Sequence, residues 1–200
     1  AVHALGYVSR ISEADLERFI TAVAAAGCST FIVHARKAWL QGLSPKENRE
    51  VPPLDYDRVY RLKAAHPELT IVINGGIRSL DEAESHLTRV DGVMLGRAAY
   101  QTPFLLAEVD RRVFGAEAPP ASRREVIGRL IPYIERHLAR GGRLNSITRH
   151  VLGLYHGRPG ARLFRRHLSD AELRDRGGLL PLERALAAVE RAADPDKAAA

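Results

Sequence analysis

The spacing of apolar residues changes character along this chain, and the change divides it in two. In the first half, short β-branched runs alternate with helical stripes. Thr30-Phe-Ile-Val-His34, residues 70–74 and residues 91–95 are apolar runs that stop at a polar residue or a glycine, the pattern of buried parallel strands. Ahead of the first run, Leu16, Phe19, Ile20, Val23 and Ala24 fall on one face of a helix that Ser12 with Asp15 opens and Gly27 ends. A second helix over 57–65 carries Val59, Tyr60, Leu62 and Lys63 and stops at His66-Pro67. A third runs from Ser79 to Leu87. Strand, helix, strand in repetition predicts a parallel sheet. Ala1-Val2-His3 reads as the tail of one further strand.

The second half keeps only the helical period. Ala98 to Tyr100 is a short helix, and Pro103 opens a longer one through Val113 that Gly115 ends. Ala116-Glu-Ala-Pro-Pro-Ala121 has the composition of a linker. Beyond it the pattern predicts helices over 124–138 with Pro132 inside, over 144–155, over 161–168 after a turn at Gly157-Arg-Pro-Gly160, and over 181–193. The predicted fold class is therefore α/β plus all-α, with an α/β part over 1–115, a linker over 116–122 and a helical domain over 123–200. Three clear strands and the stub of a fourth at 1–4 make half a barrel, which leaves long parallel edges. The sheet is then either open and doubly wound, or the C-terminal half of a (β/α)8 barrel whose first half lies upstream of Ala1.

Candidate chemistry gathers where the strands end. Gly75-Gly76 follows one strand and Gly96-Arg97 the next, so both turns lie at the C-terminal rim of a parallel sheet. Glycines let a backbone approach a ligand closely, Ser79 as an N-cap begins a helix whose positive end faces the same place, and Arg97 adds a cation. After strands seven and eight of a (β/α)8 barrel this is the usual phosphate site, often with a short extra helix such as the one at 98–100. The same glycines read equally as tight turns and nothing more. His34 and Asn74, each at the end of its strand, reach the same rim.

Charge sharpens the second half. The net charge is +6, and residues 1–100 contribute none of it. From Arg136 to Leu168 there are eight arginines, four histidines and no acid, a block that points to a polyanion, nucleic acid before membrane. The long connection from Ala35 to Tyr56 adds Arg36, Lys37, Trp39, Lys46 and Arg49, cations beside an aromatic ring as RNA contacts require. A single cysteine, Cys28, excludes an intrachain disulfide and gives no metal cluster, and its place between helix and strand suits packing. No run is long enough to span a bilayer and no signal peptide opens the chain, so an intracellular, cytoplasmic protein is expected. Met94 is the one methionine, so the chain is processed or cut from something longer.

Phe31-Ile-Val-His-Ala-Arg-Lys-Ala-Trp-Leu40, Gly42-Leu-Ser-Pro-Lys-Glu-Asn-Arg-Glu50, Pro52-Pro-Leu-Asp-Tyr56, Ile73-Asn-Gly-Gly-Ile77 and Gly92-Val-Met-Leu-Gly-Arg97 resemble the tRNA-dihydrouridine synthases, in their A-type branch, from about Ala1 to Leu168. The resemblance implies an FMN-binding TIM barrel followed by a helical tRNA-binding domain, and reduction of uridines at positions 20 and 20a of the tRNA D-loop with NADPH as reductant. It implies that His34, Asn74, Gly75, Gly76, Gly96 and Arg97 contact FMN, and that Lys46, Arg49, Arg162 and Arg165 contact tRNA, with neither membrane nor DNA as partner. Arg162 and Arg165, three apart on one helix, share a face and would grip one stretch of backbone together. The family flips the target uracil out of the RNA, moves a hydride from flavin to C6 and a proton from a cysteine to C5.

Two features depart from the family. Its proton-donating cysteine belongs to a loop upstream of Ala1, and Cys28 stands in another context. Where the family reads Val-Lys-His-Arg before the first helix, this chain reads Ala1-Val2-His3-Ala4, without the lysine that holds flavin. A tRNA-binding remnant without catalysis is the alternative those departures favour. Another phosphate-binding barrel, of the dihydroorotate dehydrogenase kind, is disfavoured by the basic helices and by residues 42–50.

Overall fold

The computed structural model describes residues 13–37, 39, 42–170 and 177–193. The strand stub at Ala1–Ala4 and the cap at Ser12 lie outside them. The chain forms two compact units that divide between Arg97 and Ala98.

The first unit is built of α1 (Glu13–Ala25), β1 (Thr30–His34), α2 (Tyr56–Ala65), β2 (Thr70–Asn74), α3 (Leu80–Leu87) and β3 (Gly92–Met94). The three strands pair in the order β1-β2-β3, all parallel, with His34 opposite Asn74 and Asn74 opposite Met94. Parallel strands need crossovers, and α2 and α3 supply them. Asp55 caps α2, its side chain accepting from the Arg58 N–H, and Ser79 caps α3 by accepting from Glu82. Ile71 and Ile73, Phe31, Ile20, Val59 and Leu62 form the core between sheet and helices. Cys28 belongs to this core, so it packs, as the sequence suggests. At the start of the sheet Asp91 accepts from both the Ile71 N–H and Lys63 at 2.8 Å, which holds β2 and β3 in register. Among the described residues β1 and β3 are the two edges of this sheet.

The second unit holds α4 (Arg97–Gln101, whose first residue closes the first unit), a 3-10 stretch over Pro103–Glu108, α5 (Val109–Phe114), α6 (Arg123–Ala139), α7 (Asn145–Thr148), α8 (Ala161–Leu168) and α9 (Leu180–Ala193). Ile127 and Ile134 from α6, Phe164 and Leu168 from α8, and Leu182, Ala185 and Val189 from α9 make its core. Ser122 and Glu125 close a capping box at the start of α6, and Pro132 sits within the helix without ending it. Residues 98–115, which the sequence groups with the strands, belong to this unit. The reason is packing: Phe104 lies against the helical core, the Arg123 guanidinium covers its ring at 3.6 Å, and Gly153 lies against the Gln101 carbonyl.

The helix expected over 144–155 is replaced by one turn of helix, α7, and a run of turns to Gly157. Buried Thr148 bonds its hydroxyl back to the Leu144 carbonyl, a local alternative to helical propagation. Gly153 must also come so near Gln101 that a Cβ there would lie 2.0 Å from its carbonyl oxygen. Similarly the helix expected from Pro103 to Val113 is 3-10 up to Glu108 and α-helical only beyond it.

Candidate functional site

The long connection after β1 is tied down at its base. The Ala35 N–H donates to the Asn74 carbonyl, Asp55 N–H donates to Ala35, and Arg36 donates through Nη1 to the carbonyls of Glu50 and Pro52. Arg36, a cation the sequence offered to RNA, is thus spent on the loop itself. Further out, the Asn48 side chain donates to the Trp39 carbonyl and accepts its N–H, while Glu47 accepts from the Ser44 N–H and hydroxyl. Those Ser44 bonds hold the Glu47 carboxyl below its ordinary pKa. The outcome is an ordered tip that presents Lys46 and Arg49 to solvent.

Leu54, at the end of this connection, lies over the glycine turn. Gly75 and Gly76 have φ of 127° and 71°, conformations that favour glycine. A Cβ on Gly76 would lie 2.5 Å from Leu54 Cδ1, and the Tyr56 hydroxyl donates to the Gly75 carbonyl at 2.7 Å. The chain alone therefore demands these two glycines. Gly96 differs: its φ is ordinary and the space where a Cβ would sit is open.

Beside Gly76 lies a cleft of about 460 Å³ walled by Arg36, Arg49, Arg78, Arg97, Tyr56 and His86, with Glu50 and Glu82 as its acids. Arg97 reaches across from its strand end to Glu50 at 2.7 Å and to the Arg49 carbonyl at 3.1 Å. Glu82 accepts from the Arg78 N–H while its own N–H goes to Ser79. The start of α3, expected to offer free N–H groups to an anion, thus has two donors already satisfied by its own turn. Of the residues singled out in the sequence, Arg36, Arg49, Gly76 and Arg97 meet in this cleft. Asn74 points its amide at Met94 Sδ, 3.4 Å away. His34 lines a separate small hollow with Phe19, Asp55 and Arg58, though Arg36 borders both. Tyr56 closes one of the quoted motifs and Arg78 follows the glycine turn, whereas His86 carries no signal in the sequence, since only the fold brings α3 back to this cleft.

Burial holds His34 below the ordinary histidine pKa, and the charges of Arg36 and Arg97 add to the effect. Burial lowers His86 as well, against the opposing charge of Glu82. His86 shares a 2.6 Å hydrogen bond with the Tyr60 hydroxyl and meets the Tyr56 ring edge-on at 4.4 Å. A histidine whose folded pKa is lowered stays neutral in the fold while the unfolded chain takes up protons, so stability is whole above about pH 6.5 and declines as pH falls toward the folded values. Urea midpoints at pH 7.5 and 5.5 check this: the drop toward pH 5.5 is expected to shrink in His86→Gln.

In the second unit Arg162 and Arg165 are both exposed on α8, whose opposite side buries Phe164 and Leu168. They share a face, as their spacing requires. Among the described residues no group of His, Cys, Asp or Glu gathers to hold a metal ion, and no helix is long and apolar enough to cross a membrane.

Parallel βα units with a cation-walled cleft at the strand ends, joined in sequence to a unit of basic helices, define a two-part chain, α/β and then all-α. The Dihydrouridine synthase (Dus) family matches residues 9–193, and the chain belongs to that TIM-barrel family. It is similar to the tRNA-dihydrouridine(20/20a) synthases of Shewanella oneidensis (58% identical over 164 residues, 82% of this chain and 49% of the relative) and Vibrio cholerae (55% over 175 residues, 87% and 54%). That of Synechocystis sp. is 52% identical over 186 residues, 93% of this chain and 56% of the relative. The chain spans about half the length of the curated relatives it matches.

Proposed function

We propose that this chain supplies the flavin-phosphate cleft and the tRNA grip of an enzyme that reduces uridine to 5,6-dihydrouridine at positions 20 and 20a of the tRNA D-loop, in the cytoplasm, with FMN as cofactor and NADPH as reductant. The observation that carries the reading is the cleft of Arg49, Gly76 and Arg97 at the C-terminal ends of parallel strands, in a chain whose relatives bear that activity in their names. The three strands are then the later part of a (β/α)8 barrel, which would cover the edges of β1 and β3.

The residues present fit an FMN phosphate. Four arginines against two carboxylates leave the cleft a net cation, and the open face of Gly96 lets a ligand atom approach where a side chain would block it. Arg78 and Arg97 would hold the phosphate, with Arg36, tied to its own loop, adding only its charge. Asn74 and neutral His34 would offer hydrogen bonds nearby, and Gly75-Gly76, covered by Leu54, would shape the turn that forms one wall of the cleft. Bound FMN supplies the hydride. The chain's own part is to fix the cofactor's phosphate end and, through Lys46 and Arg49, to hold RNA backbone at the tip of the long loop.

A second reading, tRNA binding without catalysis, is favoured by the 2.7 Å pair of Arg97 with Glu50, which gives this cation a carboxylate partner in the absence of phosphate. Flavin absorbance of the purified chain mixed with FMN and desalted, followed by a gel shift with unmodified tRNA, separates the two. Retained flavin supports the first reading. Flavin lost with tRNA bound supports the second, and loss of both overturns the tRNA assignment.

The grip on α8 is tested separately. Arg162→Ala/Arg165→Ala is expected to weaken tRNA binding at least tenfold and to lower the slope of log K against log salt by about two, since each arginine releases about one counterion. Flavin binding is expected to stay unchanged.

A further inference from the structure

The second unit contains a hollow of about 380 Å³ lined by Tyr100, Gln101, Arg149, Leu152, Gly153, His156, Arg165 and His150, with no carboxylate among them. Arg165 is already assigned to the RNA grip; the others are not. Three side chains in the hollow form a directed chain of hydrogen bonds. Arg149 Nε stands 3.0 Å from His150 Nε2, and His150 Nδ1 stands 2.9 Å from the Tyr100 hydroxyl. An arginine nitrogen can only donate, so His150 Nε2 accepts. The imidazole proton is then on Nδ1 and donates to the Tyr100 oxygen. The phenol hydrogen is left to donate outward, and the donors behind it strengthen it. The rings of Tyr100 and His150 meet edge to face, 5.8 Å apart at 74°, which fixes the phenol plane. Tyr100 is nevertheless 57% exposed.

A solvated basic surface would not need this arrangement. The hollow presents a held aromatic face, an outward O–H donor and the cations Arg149 and Arg165, in a volume suited to a single small group. A ring face accepts a nucleobase of any kind by stacking, while the phenol hydrogen and the guanidinium groups suit phosphate oxygens. We propose that this hollow takes one unstacked nucleotide of the bound RNA, its base against Tyr100 and its phosphate between Arg149 and Arg165. His150 is a positioning residue that sets the phenol. The proposal rests on reading the helical unit as an RNA grip and adds to it a nucleotide subsite beside α8.

Anisotropy titration of the full chain with a fluorescein-labelled unmodified tRNA transcript, at several KCl concentrations, tests it. Tyr100→Ala is expected to raise Kd about tenfold, the low end of base stacking, and to leave the salt slope unchanged because no charge is lost. Tyr100→Trp and Tyr100→Phe are expected to remain within about threefold of the parent, the ring being kept. Arg149→Gln is expected to weaken binding and to lower the slope by about one. If Tyr100→Ala binds within twofold of the parent while Arg162→Ala/Arg165→Ala is weakened, the subsite is wrong and the RNA grip stands. A loss in Tyr100→Ala that neither Phe nor Trp restores also overturns it, as the mark of a structural role. If the parent chain binds no tRNA, both readings fall.

Discussion

Phe164→Ala unfolds the helical unit at urea concentrations that leave the parent folded, and tRNA affinity goes with it. Phe164 is fully buried, with its ring 4.7 Å from that of Tyr155 and in one core with Ile127, Ile134 and Leu182. Its helix, α8, has eight residues, too few to hold together alone in water. What keeps it helical is the anchoring of Phe164 and Leu168 against the unit's core. Truncating a buried phenylalanine costs about 3–5 kcal/mol, a large share of the roughly 5–15 kcal/mol by which a domain is stable. Arg162 and Arg165 stand on the same helix, so their geometry is lost when it frays. The check is far-UV circular dichroism in urea together with limited proteolysis, where new cleavage sites are expected after residue 98. Unfolding at the parent's midpoint would show that α8 is held by something other than this side chain.

Gly76→Ala is expected to cost about 2–5 kcal/mol and to abolish flavin retention. Two effects combine. An L residue at φ 71° pays roughly 1–2 kcal/mol of left-handed strain. The new methyl meets Leu54 Cδ1 at 2.5 Å and the Tyr56 hydroxyl at 3.2 Å, an overpacking of about 1–3 kcal/mol. Because Tyr56 also donates to the Gly75 carbonyl, moving it away breaks the bond that sets the turn. Leu54→Ala/Gly76→Ala relieves the clash and leaves the strain, so the double variant should recover part of the stability lost by Gly76→Ala beyond what Leu54→Ala itself costs. Denaturant midpoints of the two single variants and the pair measure that coupling. Simple additivity would place Leu54 away from the turn.

The two halves of the chain were legible to different degrees. β1 and β2 were readable to the residue because a buried parallel strand needs an unbroken apolar run, and Thr30–His34 and Thr70–Asn74 are such runs bounded by polar or turn residues. The helices over 161–168 and 181–193 were readable because their apolar residues recur at helical spacing and their ends carry Gly160 and Pro181. Residues 144–155 misled because Leu144, Thr148, Leu152 and Tyr155 keep a helical period. The helix ends at Thr148, and beyond it Gly153 lies against Gln101, a contact far away in sequence that no local pattern records.

The site divides in the same way. That glycine turns, Asn74, His34 and Arg97 would lie at one rim followed from strand direction alone, since parallel strands must end on the same side. By itself the sequence determined the parallel α/β arrangement, the basic character of the helical part and the motifs that mark the family, because each rests on residues near one another in the chain or on their plain composition. Only the tertiary structure decided that Leu54 fills the space over Gly76, that Arg36 holds its own loop, that Arg97 pairs with Glu50, and that Tyr100, His150 and Arg149 form one chain of donors. Most of those outcomes depend on residues some 14 to 50 positions apart meeting at a few ångströms, and a distance of that kind is set by the packing of the whole unit.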